Sequence, residues 1–152
     1  MSETSLRSVA VERTNTGHYT ATNARGGTLH FATASDDGEN AAFTPVELLL
    51  AAIGGCTAAD VDAAISRHAE PATFSLSVTG DKISDDQGNR MTDLTVTFDV
   101  TFPEDDGEGE GEGAERARAI LPRAIKASHD RLCTVSRTIE IGTPVTTRIK
   151  DA

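Results

Sequence analysis

The strongest constraint on this chain is a helix start at Thr44, followed by a long apolar segment. Thr44 can cap the helix, a proline occupies the first helical position, and Glu47 stands three residues after the cap, which together form the pattern of a capping box. Apolar side chains then recur every three or four residues. The sequence therefore predicts one long central helix over residues 44–68 with a broad apolar face.

Two adjacent glycines, Gly54 and Gly55, interrupt this helix directly before Cys56. An interior glycine costs about 1 kcal/mol relative to alanine. We therefore expect that another backbone or a substrate approaches closely at this turn. Cys56 lies on the apolar face, where a buried and unreactive thiol is the ordinary alternative to a functional one.

Strand patterns flank the predicted helix, because alternating apolar residues and glycine-bearing turns occur on both sides of it. Pro122 falls inside the second helical pattern and can interrupt it. This order predicts an α+β fold in two layers, as a single domain over 1–152. Its remaining segments are a β-meander over 1–40, a β-hairpin over 73–102, an acidic glycine-rich loop over 103–114, and a helix, the second cysteine and a final strand over 115–152.

Charge and composition limit the possible partners and locations. The net charge is −10, with 24 acidic and 14 basic residues, so there is no basic surface for nucleic acid. Few of the basic residues are lysines, and an acidic, lysine-poor surface is typical of halophilic adaptation, where salt screens self-repulsion. No run of roughly 18 apolar residues and no signal-peptide pattern is evident. We therefore expect a cytoplasmic protein that binds neither nucleic acid nor membrane.

The chain has two cysteines, Cys56 and Cys133. In a cytosolic chain this number favours buried, inert thiols or redox chemistry over a structural disulfide. Cys133 follows the second helix among polar neighbours, which indicates a partly accessible thiol. The spacing leaves open whether the two sulfurs approach each other.

The segments around both cysteines resemble the OsmC/Ohr proteins, the osmotically inducible and organic hydroperoxide resistance proteins. TPVELLLAAIGGC over 44–56, followed by TAADV, is similar to that family's helix, and HDRLCTVSRTI over 129–139 is similar to its second-cysteine segment. The resemblance implies an OsmC-like two-layer fold and an intertwined homodimer with active sites at the subunit interface. A core with only five Phe and one Tyr also favours burial against a second subunit.

The resemblance further implies a thiol peroxidase that reduces organic hydroperoxides, and hydrogen peroxide less well, in oxidative-stress defence. In such proteins the first cysteine, here Cys56, attacks the peroxide and becomes a sulfenic acid. The second, here Cys133, condenses with it to form a disulfide. An external thiol or dithiol, for which the family suggests a lipoyl-type donor, then reduces the disulfide. No metal or other bound cofactor is implied.

The family also implies an arginine from the N-terminal sheet that keeps the thiolate ionised, and a glutamate at the helix start that orients this arginine. Arg25 is the first choice for the arginine, with Arg13 and Arg7 as rivals. The family's glutamate directly follows the helix-starting proline, whereas Glu47 comes one residue later, which turns its side chain by about 100°. Glu47 is therefore either the catalytic partner of the arginine or only a helix cap.

Three other functions stay open. A protein that binds a small apolar ligand or senses redox state in the same pocket, with little peroxidase activity, would not need both thiols. A zinc site could combine Cys133 and His129, which stands one helical turn before it, with Cys56 and a further histidine. A cysteine hydrolase could use His129 or His68 as its base, although the sequence places no third, orienting residue.

Overall fold

The computed structural model describes residues 3–34, 41–103 and 111–151. Backbone contacts divide the chain into two compact units, residues 1–49 and residues 50–152. The single-domain boundary expected from the sequence stays a prediction.

The first unit contains a three-stranded antiparallel sheet in which consecutive strands are neighbours. Gly17 and Gly26, which lie in the two connecting turns, have φ values of +73° and +88°. L side chains rarely adopt this conformation, so glycine suits both turns. The meander agrees with the prediction, and the part of that prediction over 35–40 lies outside the described residues. The strands are β1 (Val9–Asn15), β2 (His18–Asn23) and β3 (Thr28–Ala32).

Helix α1 (Pro45–Ile65) begins at the expected capping box. The Glu47 N–H donates to Thr44 Oγ1 at 3.2 Å, and the Thr44 N–H donates to the Glu47 carboxylate at 2.9 Å. These reciprocal bonds satisfy two backbone donors at the helix start. The helix ends at Ile65, slightly before the expected limit of residue 68.

Among the described residues, α1 is the one helix that is long and apolar enough to cross a membrane. This is weak evidence, because the core helix of a soluble protein can have the same length and composition. The expectation that the protein does not bind a membrane therefore stays a prediction.

A long β-hairpin follows in the second unit, formed by β4 (Thr73–Asp85) and β5 (Gly88–Thr101). It agrees with the expected hairpin over 73–102. The two strands pair almost continuously, from Thr73 opposite Thr101 to Asp85 opposite Gly88 at the turn. The turn is held by Asp85, whose carboxylate accepts hydrogen bonds from the Gln87 N–H and the Arg90 guanidinium.

Helix α2 (Gly111–Ala127) continues through Pro122, so the expected interruption is wrong. Apolar residues on both sides of the proline pack against one core, and this packing keeps the helix continuous. These residues are Ile120, Leu121, Ala124 and Ile125, and the buried core that they contact consists of Val61, Ile65, Phe102, Ala114 and Ala117.

The final strand expected after Cys133 is also wrong. A π-helical segment (Ser128–Leu132) leads to Cys133, and a third helix, α3 (Thr134–Ile141), follows it. Residues 143–149 form neither helix nor strand. The Cys133 sulfur caps α3 by accepting the Ser136 N–H, and Gly142 ends the helix with φ 75°. These local caps outweigh the β preference of the Thr, Val and Ile residues in this segment.

The Gly54–Gly55 step shows the expected close approach at one of its two residues. A Cβ on Gly54 would lie 2.7 Å from Val78 Cγ2 and 2.8 Å from Leu76 Cδ1, both on β4. A Cβ on Gly55 would have nothing within 4 Å. The close approach that favours glycine at position 54 therefore comes from side chains of the hairpin and not from a backbone.

Candidate functional site

The structure brings the two cysteines together with one carboxylate. Cys56 and Asp60 lie one turn apart on α1, and Cys133 lies directly before α3. The two sulfurs and a carboxylate oxygen of Asp60 are all within 4.8 Å of one another. Both cysteines are free thiols. A disulfide, at about 2.0 Å, would need the two sulfurs to approach by up to roughly 2.8 Å more.

Cys133 is fully buried, so the accessible thiol expected from its polar neighbours is wrong. Of its polar sequence neighbours only Ser136 bonds to it, and the second partner, Thr57, comes from α1. The sulfur accepts the Ser136 N–H at 3.4 Å and the Thr57 hydroxyl at 3.5 Å, and it lies 3.2 Å from Ser136 Oγ. The Thr57 hydroxyl is also 3.0 Å from the Ile53 carbonyl, so its single proton is shared between two acceptors.

The pKa values of the two thiols are shifted in opposite directions. Burial raises the pKa of Cys56, and the hydrogen bond from the Val135 N–H offsets this only in part. Burial also raises the pKa of Cys133, but hydrogen bonds from Ser136 and Thr57 outweigh it, so the net pKa is lowered. The two groups interact and titrate as a pair. The first negative charge of that pair is therefore better stabilised on Cys133 than on Cys56.

The first turn of α3 supplies backbone donors to both sulfurs. The backbone N–H groups of Thr134 and Val135 lower the pKa of Cys56, and that of Ser136 donates to the Cys133 sulfur at 3.4 Å. The first N–H groups of a helix have no partner within it and favour negative charge. The helix found in place of the expected strand therefore helps to stabilise a thiolate.

Asp60 is held in place by Ser128, whose hydroxyl donates to its carboxylate at 2.8 Å. Ser128 is fully buried in the π-helical segment. The cluster thus connects α1, the π-helical segment and α3. Asp60 is not among the predicted site residues, although the sequence carries a signal for it: Cys56 and Asp60 are four residues apart, which places them on one face of a helix.

The three arginines considered as partners of the thiolate belong to the first unit, so their catalytic role stays a prediction. Arg25 lies exposed in the turn between β2 and β3. Arg13 donates to the Thr16 hydroxyl at 2.9 Å, and Arg7 donates to the backbone carbonyl of its neighbour.

Glu47 acts as a helix cap, which was one of its two expected roles. Hydrogen bonds from the backbone N–H and the side-chain hydroxyl of Thr44 lower the pKa of the Glu47 carboxyl. A catalytic role for Glu47 beside an arginine stays a prediction.

His129 binds carboxylates. Its Nδ1 is 3.0 Å from Asp130 and its Nε2 is 2.9 Å from Glu140. The hydrogen bonds to Asp130 and then to Glu140 raise the pKa of the imidazole. Among the described residues, the cluster of potential metal ligands around the two cysteines includes Asp60. It does not include His129. Within the part of the chain that the structure describes, the zinc site considered for His129 is therefore not assembled, and the hydrolase base stays a prediction.

A cavity of about 240 Å³ lies next to the two residues that bond Cys133. Thr57 and Ser136 both line it, and the rest of the wall is mainly apolar. Cys56 is not among the lining residues. The apolar wall consists of Ile53, Leu94, Val96, Phe98, Ile125 and Ile139, and His129 and Glu140 complete the lining.

A family model for the OsmC-like proteins matches residues 37–148, which is most of the chain. This protein therefore belongs to the OsmC-like family. An uncharacterized protein of Mycobacterium tuberculosis is 28% identical over 142 residues, which covers 93% of this chain and 94% of the relative. An uncharacterized protein of Mycobacterium bovis matches with the same figures.

Solved structures share the fold at low sequence identity. An OsmC-like protein of unknown function from Vibrio cholerae has a TM-score of 0.70 at 13% identity, over 90% of this chain and 95% of that one. An organic hydroperoxide resistance protein OsmC from Legionella pneumophila has a TM-score of 0.58 at 14% identity, over 91% of both chains. The expected α+β OsmC-like fold is thereby confirmed, with two antiparallel sheets and three α-helices among the described residues.

Proposed function

We propose that this protein is a thiol-dependent peroxidase that reduces organic hydroperoxides, and hydrogen peroxide less well, in oxidative-stress defence. The observation that carries the proposal is the pair of free thiols within 4.8 Å of each other in an OsmC-like chain. A protein of the same fold from Legionella pneumophila is described as an organic hydroperoxide resistance protein.

Cys56 is the attacking residue in this proposal, since it is half-buried while Cys133 is fully buried. Its thiolate attacks one peroxide oxygen, and the O–O bond breaks. The leaving alkoxide takes a proton and departs as the alcohol, which leaves Cys56 as a sulfenic acid. Because burial raises the pKa of Cys56, the attacking thiolate needs the N–H donors of α3 and a cation, for which we propose Arg25.

Cys133 then attacks the sulfenic sulfur, the hydroxyl leaves as water after gaining a proton, and a disulfide forms. The lowered pKa of Cys133 suits this role, because the thiolate is the nucleophile. An external dithiol, which we propose is of the lipoyl type, reduces the disulfide by exchange. The mainly apolar wall of the neighbouring cavity favours a substrate with an organic group over hydrogen peroxide. We further propose that the protein is cytoplasmic and acts as a homodimer.

The roles of the thiols are tested by intact mass and free-thiol counts before and after one equivalent of cumene hydroperoxide. We expect the wild type to lose both thiols rapidly. Cys133→Ser should accumulate a sulfenic acid that a dimedone probe traps, and Cys56→Ser should not react. If both thiols of the wild type survive, the peroxidase proposal is wrong. The cavity would then be better explained as a binding site for a small apolar ligand, the second candidate function.

A further inference from the structure

We propose that the reduced protein binds a soft divalent cation, Zn²⁺ in the first place, through Cys56, Cys133 and Asp60. The binding itself does not depend on peroxidase activity. Two thiolates and a carboxylate are a donor set that zinc accepts, and with three protein ligands a water can occupy the fourth position.

The distances between the donor atoms are compatible with such a site. All three atoms lie within 4.8 Å of one another. Zinc binds sulfur at about 2.3 Å and oxygen at about 2.1 Å, so the ligands of a tetrahedral site are roughly 3.5–4 Å apart. The distances between donor atoms therefore need to shorten by up to roughly 1.3 Å, which side-chain rotation can provide.

The surrounding residues support the ligands in the way that metal sites require. Buried Ser128 donates to the Asp60 carboxylate at 2.8 Å and fixes its orientation. The Ser136 N–H and the Thr57 hydroxyl point at the Cys133 sulfur. Hydrogen bonds to the ligands from a second layer of residues orient them and strengthen metal binding.

The charge of the cluster also favours a cation. When ionised, the three groups carry three negative charges in a partly buried space. Among the described residues of the second unit, 50–103 and 111–151, their hydrogen-bond partners are hydroxyl, thiol and backbone groups, and no lysine, arginine or histidine of that unit bonds to them. A bound Zn²⁺ would neutralise most of this charge and keep both thiols deprotonated.

Such binding depends on the redox state of the cysteines. A bound cation coordinates both sulfurs, so it slows their attack on a peroxide without preventing it. When the two thiolates are oxidised, they lose two electrons and form one S–S bond, which removes two of the three ligands and releases the cation. Release by a hydroperoxide rests on the proposed function, with the peroxide taking up two electrons and two protons to give alcohol and water. Release by a chemical oxidant that forms the disulfide does not depend on the proposed function.

The test is a titration of the reduced full-length protein with Zn²⁺ and with Co²⁺ under anaerobic conditions. We expect one metal ion per chain, and a sulfur-to-cobalt charge-transfer band that Cys56→Ser or Cys133→Ser abolishes. Asp60→Asn should weaken Zn²⁺ binding by at least about tenfold, and Ser128→Ala by about tenfold. The matched control is Asp62→Asn, since Asp62 is an exposed carboxylate on the same helix that also bonds to a serine, and it should bind as the wild type does.

The proposal is overturned if Asp60→Asn binds Zn²⁺ as tightly as Asp62→Asn, or if the metal band survives the loss of either cysteine. Circular dichroism of each variant separates lost binding from lost folding. Protein oxidised beforehand with diamide must lose its metal, whether or not it reacts with hydroperoxides. Failure of this inference is thus distinguishable from failure of the proposed peroxidase activity.

Discussion

Thr57 and Ser136 each place a hydroxyl group beside the buried sulfur of Cys133. A buried thiol without such donors has a raised pKa and reacts slowly. These hydrogen bonds lower the pKa of Cys133 against the effect of burial. Reactivity at this position therefore depends on two hydroxyl-bearing residues that are not themselves nucleophiles.

Thr57→Val tests this dependence, because valine keeps the shape of threonine and removes the hydroxyl. In a Cys56→Ser background, we expect the ultraviolet absorbance of the Cys133 thiolate to appear at higher pH than with Thr57 present. With Cys56 intact, we expect disulfide formation after peroxide treatment to slow by about three- to tenfold, the effect of losing one hydrogen bond. Thr79→Val, at an exposed position on β4, is the control. An unchanged pKa of Cys133 in Thr57→Val would contradict this role.

At the scale of elements, the two neighbouring glycines of α1 differ in what an added methyl group would meet. At Gly54 it would collide with Val78 and Leu76, whereas at Gly55 it would meet open space. We expect Gly54→Ala to lower the free energy of unfolding by about 1–3 kcal/mol. Gly55→Ala should raise it by up to about 1 kcal/mol.

Urea denaturation measures both variants. Replacing glycine by alanine affects the unfolded chain equally at the two positions, so the difference between the variants isolates the contact with β4. If Gly54→Ala proves as stable as Gly55→Ala, α1 and β4 are not packed as closely as this structure shows.

The bond between His129 and Glu140 links the π-helical segment to α3 and should make stability depend on pH. The hydrogen bonds that His129 makes with Asp130 and Glu140 raise the pKa of its imidazole above 6.5 in the folded state. The stabilisation is therefore fully present below the pKa of the unfolded chain, and it is lost as pH rises through the raised folded value. Because His129 is exposed, we expect the effect to be small.

The measurement compares the free energy of unfolding of wild type and His129→Gln at about pH 5.5 and about pH 8.5. We expect His129→Gln to be the less stable at the lower pH, and the difference to shrink at the higher pH. Glu140→Gln should reduce the same pH dependence, since it removes the charged acceptor. If His129→Gln lowers the free energy of unfolding equally at both pH values, the charge of His129 does not contribute to stability.

The elements that the sequence predicts well are those with strong local signals. The start of α1 follows from Thr44 and Glu47 alone, because a capping box involves only residues three apart. The helix after Cys133 was missed because its residues are rich in Thr, Val and Ile and alternate as in a strand. A cysteine sulfur serves as its cap, which is not a usual capping group.

The candidate site was predicted only in part for a related reason. The family resemblance identifies both cysteines, but the burial of Cys133 and the role of Ser128 depend on how distant segments pack. No periodicity within one segment reports such a contact. Asp60 is the exception, since its position one turn after Cys56 is visible in the sequence.

At the scale of the whole molecule, net charge and exposed apolar surface have opposite effects on self-association. The charge of −10 opposes the approach of two chains at low salt, and salt screens this repulsion. The ion pairs among the described residues include exposed ones such as Arg116–Glu112, which contribute little to stability. A homodimer of this chain should therefore form more readily as salt increases, in keeping with the halophilic surface expected from the composition.

Strand β1 is the part of the first unit that most clearly suggests where a second chain would bind. It lies at the edge of its sheet, so one side of its backbone is unpaired, and all seven of its residues are exposed. Val9 and Val11 share one face of the strand and are 63% and 57% exposed. Val11→Lys should weaken the dimer, because it would place a charge in an apolar contact.

Light scattering at low and at high KCl concentration measures the outcome. We expect the wild type to have twice the 16.0 kDa mass of one chain, and we expect the dimeric fraction to be largest in high salt. Val11→Lys should shift the population toward the monomer. Glu12→Lys, on the opposite face of the same strand, should not do so, since it adds the same side chain away from the apolar contact. A monomeric wild type in high salt would refute the homodimer, and equal dimerisation of the two lysine variants would place its interface elsewhere on the chain.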